Sequence, residues 1–389
     1  MKKLIGFILI FLPLFLVSCS EQKHIRSSNY TYSKPVQLND SLKTATLENV
    51  GIDSSKIIEL TKLILADSFP NIHSLLILKD NQLVYENYFA GNDQISGKNL
   101  GYIEHNLDGL HDCRSISKSI VSACVGIAIK QGLIKNIDVP IFDYFPEYEK
   151  YKDEKKGEIT IRHLLTMTSG LDWNEEISYN NFGNSELKMD FSFSPIRFIL
   201  SRSMVADAGT KWNYCGGNTQ LLAEIIKKVS GFSIDKFAEK HLFLPLGIKN
   251  YVWLPLIMTN SKAAASGLRL RSRDFMKFGL LYMNNGKLNG VQILDEAWVQ
   301  QSLSGLVPRP FVKSNTMNRG YGLQFWTYTD TIKNQKIDIS EAKGNGGNAI
   351  FFCKSLNLLV VVTAGNYNQW DIVNNSHAAL VNYIIPTIK

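Results

Sequence analysis

Ser115 and Lys118, in the run Ser115-Ile116-Ser117-Lys118, are the residues whose types and spacing point most directly to chemistry. Side chains three apart on a helix lie side by side, with roughly 5 to 6 Å between Cβ atoms, so the lysine can reach the serine hydroxyl. A serine is a poor nucleophile until a neighbour takes its proton. Lysine can do so if desolvation and nearby positive charge lower its pKa from about 10.4 toward neutrality. If Ser115 opens the helix, its backbone N–H has no intrahelical partner and can point into an oxyanion hole. The chemistry implied is acyl transfer to Ser115, with no metal or organic cofactor.

Taken alone, S-x-x-K is a weak signal, because most such pairs sit on solvated helix surfaces. Here Ile116, Ile120, Cys124, Ile127 and Ala128 form a stripe along Ser115 to Gln131, and Gly132 ends the run. The spacing predicts a buried helix beginning at or just before Ser115. An unpaired lysine on it would be expensive, which favours a functional pairing.

Competing chemistries are poorly supported. His105, His111, His163, His241 and His377 offer bases for a Ser-His-Asp arrangement, but no G-x-S-x-G elbow exists to hold its serine. His163 falls within a helical segment and reads as structural. No C-x-x-C pair and no H-E-x-x-H occurs, so no metal site is expected. Cys113, Cys124, Cys215 and Cys353 allow three disulfide pairings that sequence does not choose between; Cys124 and Cys353 read as small buried thiols.

The elements that must position the pair follow from periodicity. Ser54 to Ala66 is predicted to be an amphipathic helix, and His73 to Lys79 and Leu83 to Phe89 flank a turn at Asp80-Asn81-Gln82. The middle of the chain is helical, including Thr160 to Thr168 and Thr219 to Val229, with loops rich in Asn, Ser and Gly. Strand signals return at Gly320 to Thr327, Ala349 to Lys354 and Leu358 to Ala364, before a closing helix over about 372–385. Strands at both ends of the chain and helices between them imply an α+β fold. Its antiparallel sheet is flanked by helices and carries an inserted, mainly helical subdomain, with the site in the cleft between them.

Lys2 and Lys3 precede an apolar stretch from Leu4 to Val17, then Ser18 and Cys19. This is a signal peptide in plan, too short to span a bilayer as a helix. Leu16-Val17-Ser18-Cys19 resembles a bacterial lipobox, which makes Cys19 the lipidation residue and the cell envelope the expected location, facing the periplasm or the cell surface. Residues 20–47 are polar and read as a flexible tether, and 48–389 as the folded domain. Within it the sheet region is predicted over about 48–112 and 260–389, and the helical insertion over about 113–259. A composition of 45% hydrophobic and 20% charged residues is that of a globular protein. The net charge of +7 lacks any Lys/Arg cluster with interleaved aromatics, so no nucleic-acid partner is expected.

Over roughly Ile72 to Ile385 the sequence resembles the serine β-lactamase and penicillin-binding protein superfamily, nearest its class C β-lactamase, esterase and 6-aminohexanoate-dimer hydrolase branch. Several segments in order carry the likeness: Ser115 to Lys118; Thr160 to Leu171; Gly209-Thr210-Lys211-Trp212-Asn213-Tyr214; Ala265-Ser266-Gly267-Leu268-Arg269; and Asp274 to Gly279. The resemblance implies that Tyr214 relays the proton together with Lys118. It implies a third motif at the cleft edge, for which Gly344-Asn345-Gly346-Gly347-Asn348 fits. Asn345, Gly346 and Gly347 would then contact substrate, and the N–H of Asn348 would be the second oxyanion donor beside that of Ser115. Trp173 is placed either in the acyl pocket or in the core. Two departures stand out. The family's Tyr-x-Asn becomes Tyr214-Cys215-Gly216, and its Lys/His-x-Gly becomes Asn345-Gly346-Gly347. The first loses an amide and the second a cation, which points away from β-lactams and toward an ester or amide substrate, small molecule or peptide. A catalytically weak module binding cell-wall peptide is the alternative.

Overall fold

The computed structural model describes residues 29–308 and 317–389. The signal segment and Cys19 lie outside the described residues, as does much of the loop over 303–318.

The centre is a sheet of nine strands: β1 (Lys43–Thr44), β2 (Ile72–Lys79), β3 (Gln82–Tyr88), β4 (Val307–Pro308), β5 (Met317–Tyr321), β6 (Trp326–Ile332), β7 (Gln335–Gly344), β8 (Asn348–Cys353) and β9 (Leu358–Ala364). Their order is β1-β3-β2-β9-β8-β7-β6-β5-β4, so β2 from the start of the domain pairs with β9 from its end. Every pairing is antiparallel except β1 with β3. Asp80 and Asn81, at φ +52° and +61°, close the tight β2–β3 turn where the sequence predicts it.

The central strands are apolar on both faces because both are covered. Leu76, Leu78, Ile350, Phe352, Leu359 and Val361 point into the core shared with the helical region. The alternating Leu75, Ile77, Phe351, Val360 and Val362 pack instead on α1 (Ser54–Leu65) and the C-terminal helical turns at Leu380 and Ile384. The closing helix is a relay of short pieces, Asn375–Ala379 followed by Leu380–Ile384 and Ile385–Thr387.

Two expectations need correction. The sequence predicts a tether that extends to residue 47, yet Leu42, Ala45 and Leu47 are buried and the Tyr32 hydroxyl donates to the Val84 carbonyl at 2.8 Å. A two-residue strand with scattered apolar anchors leaves no periodic pattern to read. Strand β7 is not marked by the sequence: in Gln-Lys-Ile-Asp-Ile-Ser-Glu-Ala-Lys-Gly charges fall on both faces, Glu341 and Ala342 are buried side by side, and the preceding turn, Lys333-Asn334, contains no glycine.

Helix α2 (Ile116–Lys130) runs through the middle of the molecule, with every residue from Ile116 to Ala128 buried. It packs on α5 (Gly216–Ser230), and the helical region also contains α3 (Ile161–Leu165) and α4 (Ser185–Asp190). Helix α6 (Ser272–Met283) lies across the sheet on β2, β8 and β9. Short strands at His111–Asp112, Val252–Trp253 and Leu268–Leu270 pair where the helical insertion leaves and rejoins the sheet region.

Gly126 lets the Trp298 indole lie on α2, since a Cβ there would stand 2.6 Å from the ring. Gly126→Ala is therefore expected to lower unfolding free energy by about 1 to 3 kcal/mol in urea titrations, because a rigid indole has little room to shift. An unchanged midpoint would show that the indole moves freely.

Candidate active site

Ser115 is the N-cap residue of α2, with helical φ of −65° and no capping hydrogen bond from its side chain, so its hydroxyl is not spent on the helix. Arg114 before it adopts φ +48°, an uncommon conformation for a non-glycine residue. The Lys118 ammonium donates to Ser115 Oγ at 3.2 Å and to the Ala265 carbonyl at 3.1 Å, and the residue is 1% exposed. The block at 265–269 thus has a visible task. Besides that carbonyl, it supplies the Leu268 N–H that donates to Ser117 Oγ, the Leu268 carbonyl that accepts from Cys113 N–H, and Arg269 on Asp112 at 2.8 Å.

Tyr214 is brought to the pair by the turn after α3. The Met167 carbonyl accepts from Asn213 N–H and the Thr168 carbonyl from Gly209 N–H, both at 2.8 Å. Gly170, at φ +77°, has no room for a Cβ, which would lie 2.3 Å from the Ala206 carbonyl oxygen. His163 is structural, as expected: it closes a capping box with Thr160. Lys118 Nζ lies 4.9 Å from the Tyr214 ring centroid, the Tyr214 hydroxyl hydrogen-bonds with Ser115, and the ring stacks on Trp326 at 5.4 Å.

The Gly-rich turn between β7 and β8 abuts the approach to Ser115. A Cβ on Gly344 would lie 2.4 Å from the Cys113 carbonyl oxygen, and Gly346 and Gly347 have φ of +98° and +93°. Asn348 is fully buried; its amide donates to the Asn345 carbonyl and its side-chain oxygen accepts from Ala364 N–H. The Asn345 side chain exchanges two hydrogen bonds with Asn368, so its amide is committed to the turn rather than to substrate. Trp173 belongs to the core: it is 4% exposed, lies edge-on to Phe198, and donates its indole N–H to Glu175 at 2.5 Å. The four body cysteines are free and buried. A cleft of about 250 Å³ opens elsewhere, lined by Phe89, Asn92, Tyr102 and Gln369 among others, with none of Ser115, Lys118 or Tyr214 in its wall.

Sequence reasoning missed an acidic cluster around the ammonium. Glu186, in the first turn of α4, has its carboxylate 3.6 Å from Lys118 Nζ, and both side chains are buried. Glu175 accepts from the Trp173 indole, the Tyr179 hydroxyl and the Gly216 backbone N–H. A Cβ on Gly216 would stand 2.5 Å from the Glu186 carboxylate and 2.9 Å from that of Glu175. These acids therefore fill the space beside the position where the resemblance expects an asparagine, and that missing side chain was the one signal in the sequence.

The electrostatics correct the expected lysine. Burial alone would lower the Lys118 pKa, but Glu186, Tyr214 and Glu175 outweigh it and hold the ammonium well above its ordinary value. Burial raises the Tyr214 phenol, only partly offset by Lys118. Burial and the charge of Glu186 push the Glu175 carboxyl up to about 8, and the same causes push Asp190 up to about 8. For Glu186 burial is overcome by Lys118 and by hydrogen bonds from Glu175 and Ser266, so it is lowered and ionised. At neutral pH the cluster reads as a charged Lys118–Glu186 pair with a protonated Glu175 beside it.

The beta-lactamase family model matches residues 73–381, and the chain belongs to that family. The 6-aminohexanoate-dimer hydrolase of Paenarthrobacter ureafaciens is 22% identical over 241 residues, which span 60% of this chain and 57% of that enzyme. The octameric penicillin-binding protein homologue from Pyrococcus abyssi superposes with a TM-score of 0.64 at 18% identity, over 86% of this chain and 78% of its own. EstCE1, a hydrolase with promiscuous acyltransferase activity, gives 0.63 at 14% identity, over 83% and 96%. The matched family is one of serine hydrolases, and the two solved structures show that the chain shares their fold.

The raised acids carry a stability consequence. Between about pH 5 and 8 the unfolded chain releases protons that folded Glu175 and Asp190 retain, so unfolding free energy should fall as pH rises through that window. Glu175→Gln should flatten the fall, as measured by urea unfolding at a series of pH values; an identical slope would remove Glu175 as its source.

Proposed function

We propose that this protein is a serine hydrolase of the cell envelope, anchored to the membrane through Cys19, that cleaves an amide or ester by way of an acyl-enzyme on Ser115. The observation that carries the reading is the contact among the Ser115 hydroxyl, the buried Lys118 ammonium and the Tyr214 ring. In the reaction, Ser115 Oγ bonds to the substrate carbonyl carbon while its proton passes to the Tyr214 oxygen, which accepts it as a phenolate held beside the Lys118 cation. The backbone N–H groups of Ser115 and Asn348 hold the oxyanion, and the proton then leaves with the alcohol or amine. Water repeats the sequence and frees the acid. Lys118 enters as a fixed cation that steadies negative charge on the tyrosine oxygen, rather than as a neutral amine.

An ester or amide suits the site better than a β-lactam. Position 345 holds asparagine rather than a lysine or histidine that could pair with a substrate carboxylate, and the segment that delivers Glu175 and Glu186 exposes Phe182, Phe191 and Phe193 to solvent. A second reading, a weakly catalytic module that binds cell-wall peptide, is favoured by the salt bridge that keeps Lys118 charged at rest.

A fluorophosphonate probe should label the protein, and Ser115→Ala should abolish labelling and p-nitrophenyl ester turnover. Affinity for peptidoglycan fragments without any labelling would select the second reading. Glu186→Gln removes the charge that raises Lys118, so the alkaline limb of the kcat/KM profile should move to lower pH. A uniform loss of rate with an unmoved profile would reduce Glu186 to a structural role.

A further inference from the structure

His73, Asp93, His105 and His111 come from four separate stretches: strand β2, the strand Gly91–Ile95, the chain after the strand Lys98–Ile103, and the two-residue strand His111–Asp112. One side-chain donor atom from each lies within 4.8 Å of every other. Three of the four residues are buried and His105 is partly so. The site is separate from the serine centre, although His111 lies on the chain leading to it.

We propose that these four residues form a binding site for one divalent transition-metal ion, of which zinc is the best match.

The gathering of the donor atoms carries the argument. His73 Nδ1 and His111 Nε2 face each other at 2.6 Å, close enough to share one N–H···N hydrogen bond. The outer nitrogen of His111, Nδ1, lies 3.4 Å from the Asp112 carbonyl, the kind of partner to which a metal-ligating histidine usually turns its second nitrogen. His105 Nε2 and His73 Nε2 are buried without a hydrogen bond, which is costly for a polar atom. Four donors drawn together from four stretches of chain, with ring nitrogens left unpaired among them, is an arrangement that an ion would satisfy.

The surroundings suit an ion. Asp93 Oδ1 stands 3.9 Å from His111 Nε2 and accepts from the Tyr367 hydroxyl at 3.1 Å. The guanidiniums of Arg114 and Arg269 are drawn off onto Asp112, at 3.2 and 2.8 Å. The His73 ring fits because Gly91 and Gly365 carry no side chain: a Cβ on either would approach Nε2 to within 2.8 Å. Three imidazoles and a carboxylate form a closed tetrahedral set with donors about 3.3 Å apart around zinc. Donors now up to 4.8 Å apart reach that arrangement by closing about 1.5 Å, while His73 and His111, at 2.6 Å, part by about 0.7 Å.

A full set of four ligands makes the ion structural. It would tie β2 and the 91–103 hairpin to the segment that ends at Ser115. Tyr367 extends the tie, because its ring packs against Gly346 and lies 4.6 Å beneath the Arg114 guanidinium.

The full-length protein, stripped by a chelator and still folded by circular dichroism, should be titrated with Co²⁺ and then with Zn²⁺. One cobalt per chain is expected, with the intense visible absorption of tetrahedral coordination, displaced by one zinc that raises Tm. His105→Ala, the substitution at the least buried ligand, should weaken binding at least about tenfold. His241→Ala, at a histidine that bonds Gln131 far from the cluster, should leave it unchanged. Folded protein that takes up neither ion, or uptake unaffected by both His105→Ala and His111→Gln, overturns the proposal and leaves a hydrogen-bonded histidine cluster.

Discussion

A charged amine enclosed in the first turn of an apolar helix is the constraint around which this molecule is arranged. Lys118 is turned inward with neighbours buried on every side of α2, and an isolated ammonium in that setting would be strongly destabilising. Its charge is met by the Glu186 carboxylate, the Ala265 carbonyl, the Ser115 hydroxyl and the face of Tyr214. Each partner arrives from a different stretch of chain, so the whole helical region must be assembled before the lysine is satisfied. Breaking one partner of such a buried pair leaves the other uncompensated, which makes these contacts mutually dependent.

The same constraint gives the departures from the family pattern a physical sense. An asparagine two residues after the tyrosine would offer a neutral amide near the ammonium. With Gly216 in that place the room goes to two carboxyl groups, one ionised on Lys118 and one that keeps its proton and takes hydrogen bonds from Trp173 and Gly216. The exchange replaces a neutral neighbour by an anionic one and ties the lysine more firmly to its charged state. The third motif is altered in a comparable way. Asn345 is spent holding Asn368, so the turn presents backbone where the resemblance expects a cation.

Rigidity at the site comes from glycine positions and from the sheet. Gly170 admits the Ala206 carbonyl, Gly344 admits that of Cys113, and Gly346 admits the Tyr367 ring, so two backbone carbonyls and one ring approach more closely than a side chain at those positions would permit. The β7–β8 ladder fixes the height of Asn348 relative to Gly344, and Arg114 at positive φ sets Ser115 at the helix start. Strain of this kind persists only where surrounding packing over-determines it.

Sequence alone determined what is local or periodic. Three-residue spacing set Ser115 against Lys118, apolar runs marked β2, β3, β8 and β9, and a stripe of aliphatic residues marked α2, because helical and extended geometry repeat at short range. Motif order then carried the family, and with it Tyr214. Only the tertiary structure decided the charge state of Lys118, the core position of Trp173 and the gathering of His73, Asp93, His105 and His111. Those outcomes depend on which distant groups end up within a few ångströms, and on how much water remains between them. Glu175 lies in irregular polar chain and Glu186 opens a helix of only six residues, so neither shows a periodicity from which an inward-facing acid could be read.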